Sequence, residues 1–187
     1  LPGSRKSEVE ILTPILLETI KLLNKNNKDI TYVFHSTKEY VKSIQSYISK
    51  TDLINCEVIN DEKIKSHILR KSIFAIAKSG TVSLEICNFR IPSIILYKMN
   101  FINFLILKML VKTKFANIIN IAAKKEVIPE LLQGECNPKN IMYHTNNFLD
   151  NPKKMEEQIK EVNLILKSFK NIKSSAYQAA LSLNNFL

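Results

Sequence analysis

The sequence is poor in the residues that build metal sites, disulfide frameworks and long flexible loops. It contains 3 cysteines, 3 histidines, 3 glycines and 6 prolines among 187 residues. The cysteines are odd in number and widely spaced, at Cys56, Cys87 and Cys136. This pattern argues against a zinc site or a disulfide framework and indicates a reducing compartment. So few glycines and prolines leave little room for long flexible loops.

What the chain does have is a large excess of positive charge. It carries 27 Lys and Arg against 17 Asp and Glu, a formal net charge of +10, with 45% hydrophobic residues. The length suits one well-buried domain, and the charge favours anionic partners such as phosphates, nucleic acid or an acidic membrane face. Compositional bias explains the charge equally well, because the lysines are spread along the chain. No concentrated basic face or aromatic stacking motif points to a nucleic-acid partner.

Short apolar strands alternate with amphipathic helices over the first hundred residues. Helices are predicted at residues 8–23, 40–48, 63–70 and 81–88, and strands at residues 30–34, 56–59, 72–77 and 93–97. Such alternation predicts an α/β fold, a Rossmann-like parallel sheet with flanking helices. Farther along, the pattern is mostly helical, with a short extended piece near residues 116–119. We expect one domain over residues 1–150 and a helical C-terminal extension over residues 151–187.

Two turns made of small residues follow predicted strand ends. Residues 1–5 (LPGSR) run from the end of a strand into a turn, and residues 79–85 (SGTVSLE) lie between a strand and a helix. Turns of this kind point backbone N–H groups at an anion, and Arg5 adds a fixed cation. Glu85 adds a carboxylate that can accept hydrogen bonds from the two hydroxyls of a ribose. We therefore expect one nucleoside diphosphate site, although a capping serine, a tight-turn glycine and a surface glutamate would leave the same pattern.

Four blocks of the sequence resemble one enzyme family in their order and spacing. Residues 78–85 are similar to the donor-nucleotide segment of GT-B glycosyltransferases, and residues 1–9 resemble the lipid-A-disaccharide synthase family within them. Blocks similar to that family follow at residues 110–120 and 129–136. The resemblance corresponds to the C-terminal half of the family's enzymes. It implies a missing N-terminal half, which in the family holds the acceptor-binding domain and the proposed catalytic aspartate.

The resemblance implies an inverting glycosyltransferase of lipid A biosynthesis that uses neither a metal nor another cofactor. In the family, a 2,3-diacylglucosaminyl group moves from UDP-2,3-diacylglucosamine to 2,3-diacylglucosamine 1-phosphate, and UDP is released. The implied location is the cytoplasm of a Gram-negative bacterium, peripheral on the inner membrane. A homodimer that exchanges C-terminal helices is also implied, and nucleic acid is not an expected partner.

The resemblance also assigns roles to individual residues. Arg5 and Asn120 are expected to be catalytic: Arg5 would stabilise the charge that develops on departing UDP, and Asn120 matches a functionally important asparagine. The residues expected to contact the UDP-sugar are Ser4, Arg5, Ser79, Gly80, Thr81, Glu85, Glu130 and Gln133. Glu130 and Gln133 are expected one helical turn apart on one face of a helix.

Three features leave the interpretation open. Around Asn120 the chain departs from the family, with Ile119 in place of a proline and Lys124 in place of a glycine. Taken alone, the chain also fits a truncated, non-catalytic nucleotide-sugar-binding or interaction module. Residues 101–110 (FINFLILKML) form an apolar stretch about half as long as a membrane span. That stretch fits either an interfacial helix that approaches lipid substrates or a buried core helix.

Overall fold

The computed structural model describes residues 1–25, 29–100 and 113–170, and helices alternate with strands along these ranges. The helices are α1 (Lys6–Leu23), α2 (Val41–Ile48), α3 (Glu62–Lys71), α4 (Thr81–Asn88), α5 (Ile118–Ala123), α6 (Pro138–Leu149) and α7 (Pro152–Lys170). The strands are β1 (Tyr32–His35), β2 (Cys56–Ile59), β3 (Ala75–Lys78), β4 (Ser93–Tyr97) and β5 (Glu130–Leu132). The predicted α/β fold class, with parallel strands and flanking helices, is confirmed.

The described strands form two sheets, and all of their pairings are parallel. One sheet pairs β1 with β2, and the other has the order β3-β4-β5. Leu1 continues the second sheet, because its amino group donates to the Ile76 carbonyl at 2.9 Å and its carbonyl accepts from the Lys78 N–H at 3.0 Å. This pairing places the first predicted turn beside the carboxyl end of β3.

Residues of β1 and β3 line one apolar cavity of about 460 Å³, and Leu1 is also among its lining residues. On the β1 side, the Ser36 hydroxyl donates to the Gly3 carbonyl at 3.1 Å. The first turn is thus anchored to β3 through Leu1 and to the end of β1 through Ser36. Its position relative to both strands is fixed by these bonds.

Helix α1 contributes a row of buried side chains to the larger core cluster. Val9, Leu12, Leu16 and Ile20 are buried and recur at helical spacing, and α1 packs against α6. Each fully buried side chain of this kind is worth about 1.5–3 kcal/mol. This packing fixes the rotation of α1, and with it the placement of the residues in its first turn.

The structure differs from the sequence-based expectations at two places. Residues 116–119 are not an extended piece, because the Asn117 side chain caps α5 by accepting from the Ile119 N–H at 2.8 Å. Residues 130–132 are not helical, because they pair with β4 as the short strand β5. Strands β4 and β5 are far apart in sequence, so no local sequence pattern predicts that they pair.

The first part of the predicted C-terminal extension docks on the second sheet. Helix α7 packs against α4, α5 and α6, and Gln158 bonds both the N–H and the carbonyl of Ser93, at 2.7 and 3.0 Å. The predicted boundary at residue 150 falls between α6 and α7 and stays a prediction. Residues 171–187 and the apolar stretch 101–110 lie outside the described residues. No helix in the described ranges is long and apolar enough to cross a membrane.

We expect Lys124→Gly to stabilise the fold, because Lys124 follows α5 in the left-handed conformation with φ of +55°. A side chain with a Cβ is strained there, whereas glycine adopts this conformation freely. The free energy of unfolding, measured with urea, should rise by about 0.5–1 kcal/mol. Lys124→Ala is the matched control, because it removes the same charge but keeps the Cβ. An equal change in both variants would contradict this explanation.

Candidate functional site

A polar cavity at the carboxyl ends of β1 and β3 brings the two predicted turns together. Its volume is about 610 Å³. All the site residues predicted in the two turns line it, namely Ser4, Arg5, Ser79, Gly80, Thr81 and Glu85. The structure therefore places a guanidinium, a helix N-terminus and a carboxylate around one open space.

The first turn is folded around the side chain of Glu8, which is 11% exposed. The Ser4 N–H donates to Glu8 Oε2 at 3.1 Å, and Lys78 Nζ lies 2.9 Å from Glu8 Oε1. Gly3 has φ of +119°, and a Cβ at this position would collide with the Glu8 carboxylate. Glycine is therefore required both by the backbone conformation and by the close approach of Glu8.

The charges around Glu8 leave Arg5 available to an anion. Burial alone would raise the pKa of the Glu8 carboxyl, but the hydrogen bond and charge of Lys78, the Ser4 N–H and the charge of Arg5 hold this pKa below its ordinary value. Lys78 is thus the close partner of a Glu8 carboxylate. The Arg5 side chain is 77% exposed and contacts Glu8 only at 3.4 Å. Its guanidinium can turn to a ligand without leaving Glu8 unpaired.

The second turn opens helix α4 toward the cavity. Gly80 caps the helix with φ of +153° and ψ of −166°, a conformation that essentially only glycine adopts. A Cβ on Gly80 would meet no heavy atom within 4 Å, so the space over this residue is open. Gly80 has no side chain that could cap α4. The Ser83 N–H donates to the Gly80 carbonyl at 3.1 Å, and the N–H groups before it at the start of the helix have no partner within the helix. These N–H groups and the helix dipole suit a phosphate group.

Lys65 and His35 complete the wall of the cavity on the side of Glu85. Lys65 Nζ contacts Glu62 and lies 3.0 Å from Glu85 Oε2. His35 Nε2 lies 3.3 Å from Glu62 Oε1, and burial, followed by the charge of Lys65, lowers the pKa of His35. No cluster of three or more His, Cys, Asp or Glu side chains in the described ranges is arranged to hold a metal ion.

Asn120 and Glu130 lie outside the cavity lining and form a buried hydrogen-bond network. The Asn120 side chain is 0% exposed, and its amide donates to the Ile128 carbonyl and to Glu130 Oε1, both at 2.7 Å. Its carbonyl accepts from the Val127 and Ile128 N–H groups. Every hydrogen-bonding group of the Asn120 side chain is thus used within the protein.

This network connects to the second turn through residues 116–117. Glu130 accepts from the Ala116 N–H at 2.6 Å and from the Asn117 N–H at 3.0 Å. The Ser79 hydroxyl donates to the Ala116 carbonyl at 2.9 Å. A chain of bonds therefore runs from Asn120 through Glu130 to Ser79, at the start of the turn.

Gln133 is not on a helix face with Glu130, in contrast to the expectation from sequence. It follows β5 with φ of +47°, and its side chain bonds the N–H and the carbonyl of Met99, at 3.0 and 3.3 Å. These bonds join the ends of β4 and β5. Gln133 is not among the residues that line the polar cavity.

Glu8, Lys65 and Lys78 line the cavity but are not among the site residues predicted from the sequence. Glu8 lies one helical turn after Arg5 in a block that resembles the family, and Lys78 directly precedes Ser79, so both had a local signal. Lys65 had none, because its contact with Glu85 joins two helices whose relative position only the folded structure defines.

We expect Glu8→Gln to make the stability of the protein less sensitive to acid. Because the pKa of Glu8 is lowered in the folded state, its stabilising effect is present above the unfolded-state pKa of about 4.3. That effect is lost as the pH falls through the folded-state pKa. Urea unfolding between about pH 6 and pH 3 should show a larger loss of unfolding free energy in the unsubstituted protein than in Glu8→Gln.

Glu10→Gln is the control for this measurement, because Glu10 lies on the same helix with its side chain 48% exposed. It should follow the unsubstituted protein across the range. If Glu8→Gln also followed it, the hydrogen bonds around Glu8 would not stabilise the fold.

Comparison with known proteins relates this site to one enzyme family. The family model of lipid-A-disaccharide synthetase matches residues 1–183. The chain is 35% identical over 172 residues to the lipid-A-disaccharide synthase of Persephonella marina, covering 90% of this chain and 45% of that protein. It is 32% identical over 183 residues to the lipid-A-disaccharide synthase of Rickettsia prowazekii, covering 95% of this chain and 47% of that protein.

A third relative has a similar identity and a similar coverage. The chain is 32% identical over 184 residues to lipid-A-disaccharide synthase 1 of Legionella pneumophila, covering 98% of this chain and 46% of that protein. The chain thus spans about half the length of the curated relatives it matches. Since the family model matches nearly all of its residues, the chain belongs to the lipid-A-disaccharide synthetase family.

Proposed function

We propose that the chain binds the UDP part of UDP-2,3-diacylglucosamine in the polar cavity. Together with the half of the enzyme that it does not span, it transfers the 2,3-diacylglucosaminyl group to 2,3-diacylglucosamine 1-phosphate, with inversion at the anomeric carbon. The observation that carries this proposal is that Arg5, Gly80 and Glu85 line one cavity, although they lie far apart in sequence.

In this proposal, the two turns stabilise the leaving group. Negative charge develops on the β-phosphate as UDP departs, and positive groups fixed in advance lower the energy of that state most. Arg5 supplies the charge, and the N–H groups at the start of α4, next to Gly80, supply hydrogen bonds. Lys78 contributes by pairing with Glu8 at 2.9 Å, which leaves the Arg5 guanidinium to the phosphate.

Glu85 holds the ribose in the same proposal. It lies four residues after Thr81 on α4, which corresponds to about 6 Å along the helix axis. One helix can therefore bind the diphosphate at its start and the ribose hydroxyls farther along its side. The carboxylate accepts hydrogen bonds from these hydroxyls.

For Asn120, Glu130 and Gln133 we propose support of the site, and contact with substrate stays a prediction for them. Asn120 and Glu130 fix residues 116–117, to which the Ser79 hydroxyl is bonded. Gln133 fixes the ends of β4 and β5 through Met99. These bonds hold the second turn in the conformation that opens α4 to the cavity.

The whole enzyme is proposed to work in the cytoplasm of a Gram-negative bacterium, peripheral on the inner membrane where its diacylated substrates lie. The net charge of +10 is compatible with anionic lipid headgroups. No metal or other cofactor enters the proposed reaction. A homodimer with exchanged C-terminal helices rests on the family resemblance alone.

We expect Arg5→Ala and Glu85→Gln each to weaken UDP binding by about 1–3 kcal/mol, the range for hydrogen bonds to charged groups. Isothermal titration calorimetry measures the change. Lys6→Ala is the matched control, because Lys6 is adjacent to Arg5, its side chain is equally exposed and it does not line the cavity. Unchanged affinity in folded Arg5→Ala and Glu85→Gln proteins would exclude this cavity as the UDP site.

A second experiment separates the enzyme from a non-catalytic binding module, which the half-length match to relatives also allows. The chain is mixed with the N-terminal half of a relative, and release of UDP from UDP-2,3-diacylglucosamine is followed with the acceptor present. We expect turnover only in the mixture, because the acceptor domain lies in the other half. UDP binding without turnover would favour the binding module. An oligonucleotide that binds without competition from UDP would favour a nucleic-acid partner instead.

A further inference from the structure

Lys65 is a buried lysine that the proposed mechanism does not use. It is 7% exposed, lies on α3 and lines the polar cavity. Its ammonium group contacts two carboxylates, Glu62 on its own helix and Glu85 on α4. Burial alone would lower the pKa of Lys65, but the hydrogen bonds and charges of these two carboxylates outweigh burial and raise it. Lys65 is therefore a permanent cation beside Glu85.

The contacts of Lys65 extend to a third element of the fold. Glu62 lies one turn before Lys65 on α3, and Glu62 Oε1 is 3.3 Å from His35 Nε2 at the end of β1. Of the two carboxylates, Glu62 is the more exposed, with 71% of its side chain accessible against 32% for Glu85. Lys65 thus joins a solvated carboxylate on one side to a cavity carboxylate on the other.

This arrangement determines how Glu85 can meet a ligand. Lys65 engages Oε2 of Glu85 at 3.0 Å, which leaves Oε1 as an acceptor for a hydroxyl group. A free glutamate side chain samples several rotamers and must lose that freedom when a ligand binds. A side chain already fixed by a buried partner avoids this cost at binding. The ammonium also offsets the repulsion between the Glu85 carboxylate and a nearby diphosphate.

We propose that Lys65 is a positioning residue that aims Glu85 at the ribose and makes the site select ribonucleotides over 2′-deoxyribonucleotides. The proposal rests on the proposed binding of UDP. A purely electrostatic role would strengthen the binding of both nucleotide types by the same factor. A role in positioning Glu85 would strengthen the binding of ribonucleotides, which carry the 2′-hydroxyl, more than the binding of 2′-deoxyribonucleotides.

The experiment is calorimetry with UDP and 2′-deoxy-UDP on the unsubstituted chain and on Lys65→Met. 2′-Deoxy-UDP lacks the hydroxyl that would donate to Glu85, so we expect the unsubstituted chain to prefer UDP by about tenfold, as for the loss of a hydrogen bond to a charged group. In Lys65→Met the preference should fall below about threefold. Lys63→Met is the matched control, because Lys63 is an exposed lysine on the same helix that does not line the cavity. It should keep the full preference.

Thermal unfolding verifies that each variant is folded. Lys65→Ala, which also removes the donor beside Glu85, replaces Lys65→Met if the latter does not fold, and its preference should fall in the same way. An unchanged preference in the Lys65 variant, or an equal loss of affinity for both nucleotides, overturns the inference while the proposed function stands. An unsubstituted chain that binds UDP without preference overturns the inference too. Failure of the unsubstituted chain to bind UDP overturns the proposed function, and the inference with it.

Discussion

The buried carboxylate of Glu8 is the group on which the geometry of the site depends. It lies under Gly3, accepts from the Ser4 N–H and pairs with Lys78 at the end of β3. A buried charge without a partner is costly, so the Glu8 carboxylate depends on these partners in the folded state. They join the start of α1 to a strand that is about seventy residues away in sequence. Together with the bonds of Leu1 to β3 and of Ser36 to Gly3, this carboxylate holds the two turns at one cavity.

Most charges that line the cavity are paired with a charge of the opposite sign. Lys78 is opposite Glu8, and Lys65 lies between Glu62 and Glu85, so most local charges cancel. Arg5 is the cation with the most exposed side chain among these groups and the loosest partner. In the proposed function, a diphosphate would therefore be attracted mainly by one guanidinium and one helix end, which line the same cavity. The net charge of +10 belongs mainly to lysines elsewhere on the chain and does not explain the site.

Local sequence patterns predicted the elements whose partners lie nearby, and failed where tertiary contacts decide. The helix at Thr81–Asn88 and the strand at Ser93–Tyr97 agree with prediction. A glycine directly precedes the helix and a proline directly precedes the strand, and both residue types mark the boundaries of such elements in a sequence. Strand β5 was missed, since its three residues become a strand only by pairing with β4. Within the site, the two turns could be predicted from their own small residues. The contact between Lys65 and Glu85 could not be predicted, because it depends on how two helices pack.

The two departures from the family pattern near Asn120 have physical explanations in α5. At Ile119, where the resemblance implies a proline, the backbone N–H donates to the Asn117 side chain, a hydrogen bond that proline could not make. At Lys124, where the resemblance implies a glycine, the backbone has the left-handed conformation that glycine favours. Helix α5 thus gains a capping hydrogen bond at Ile119 and carries backbone strain at Lys124. Because Asn120 lies between them with all its hydrogen bonds made, these departures do not disrupt the network that supports the second turn.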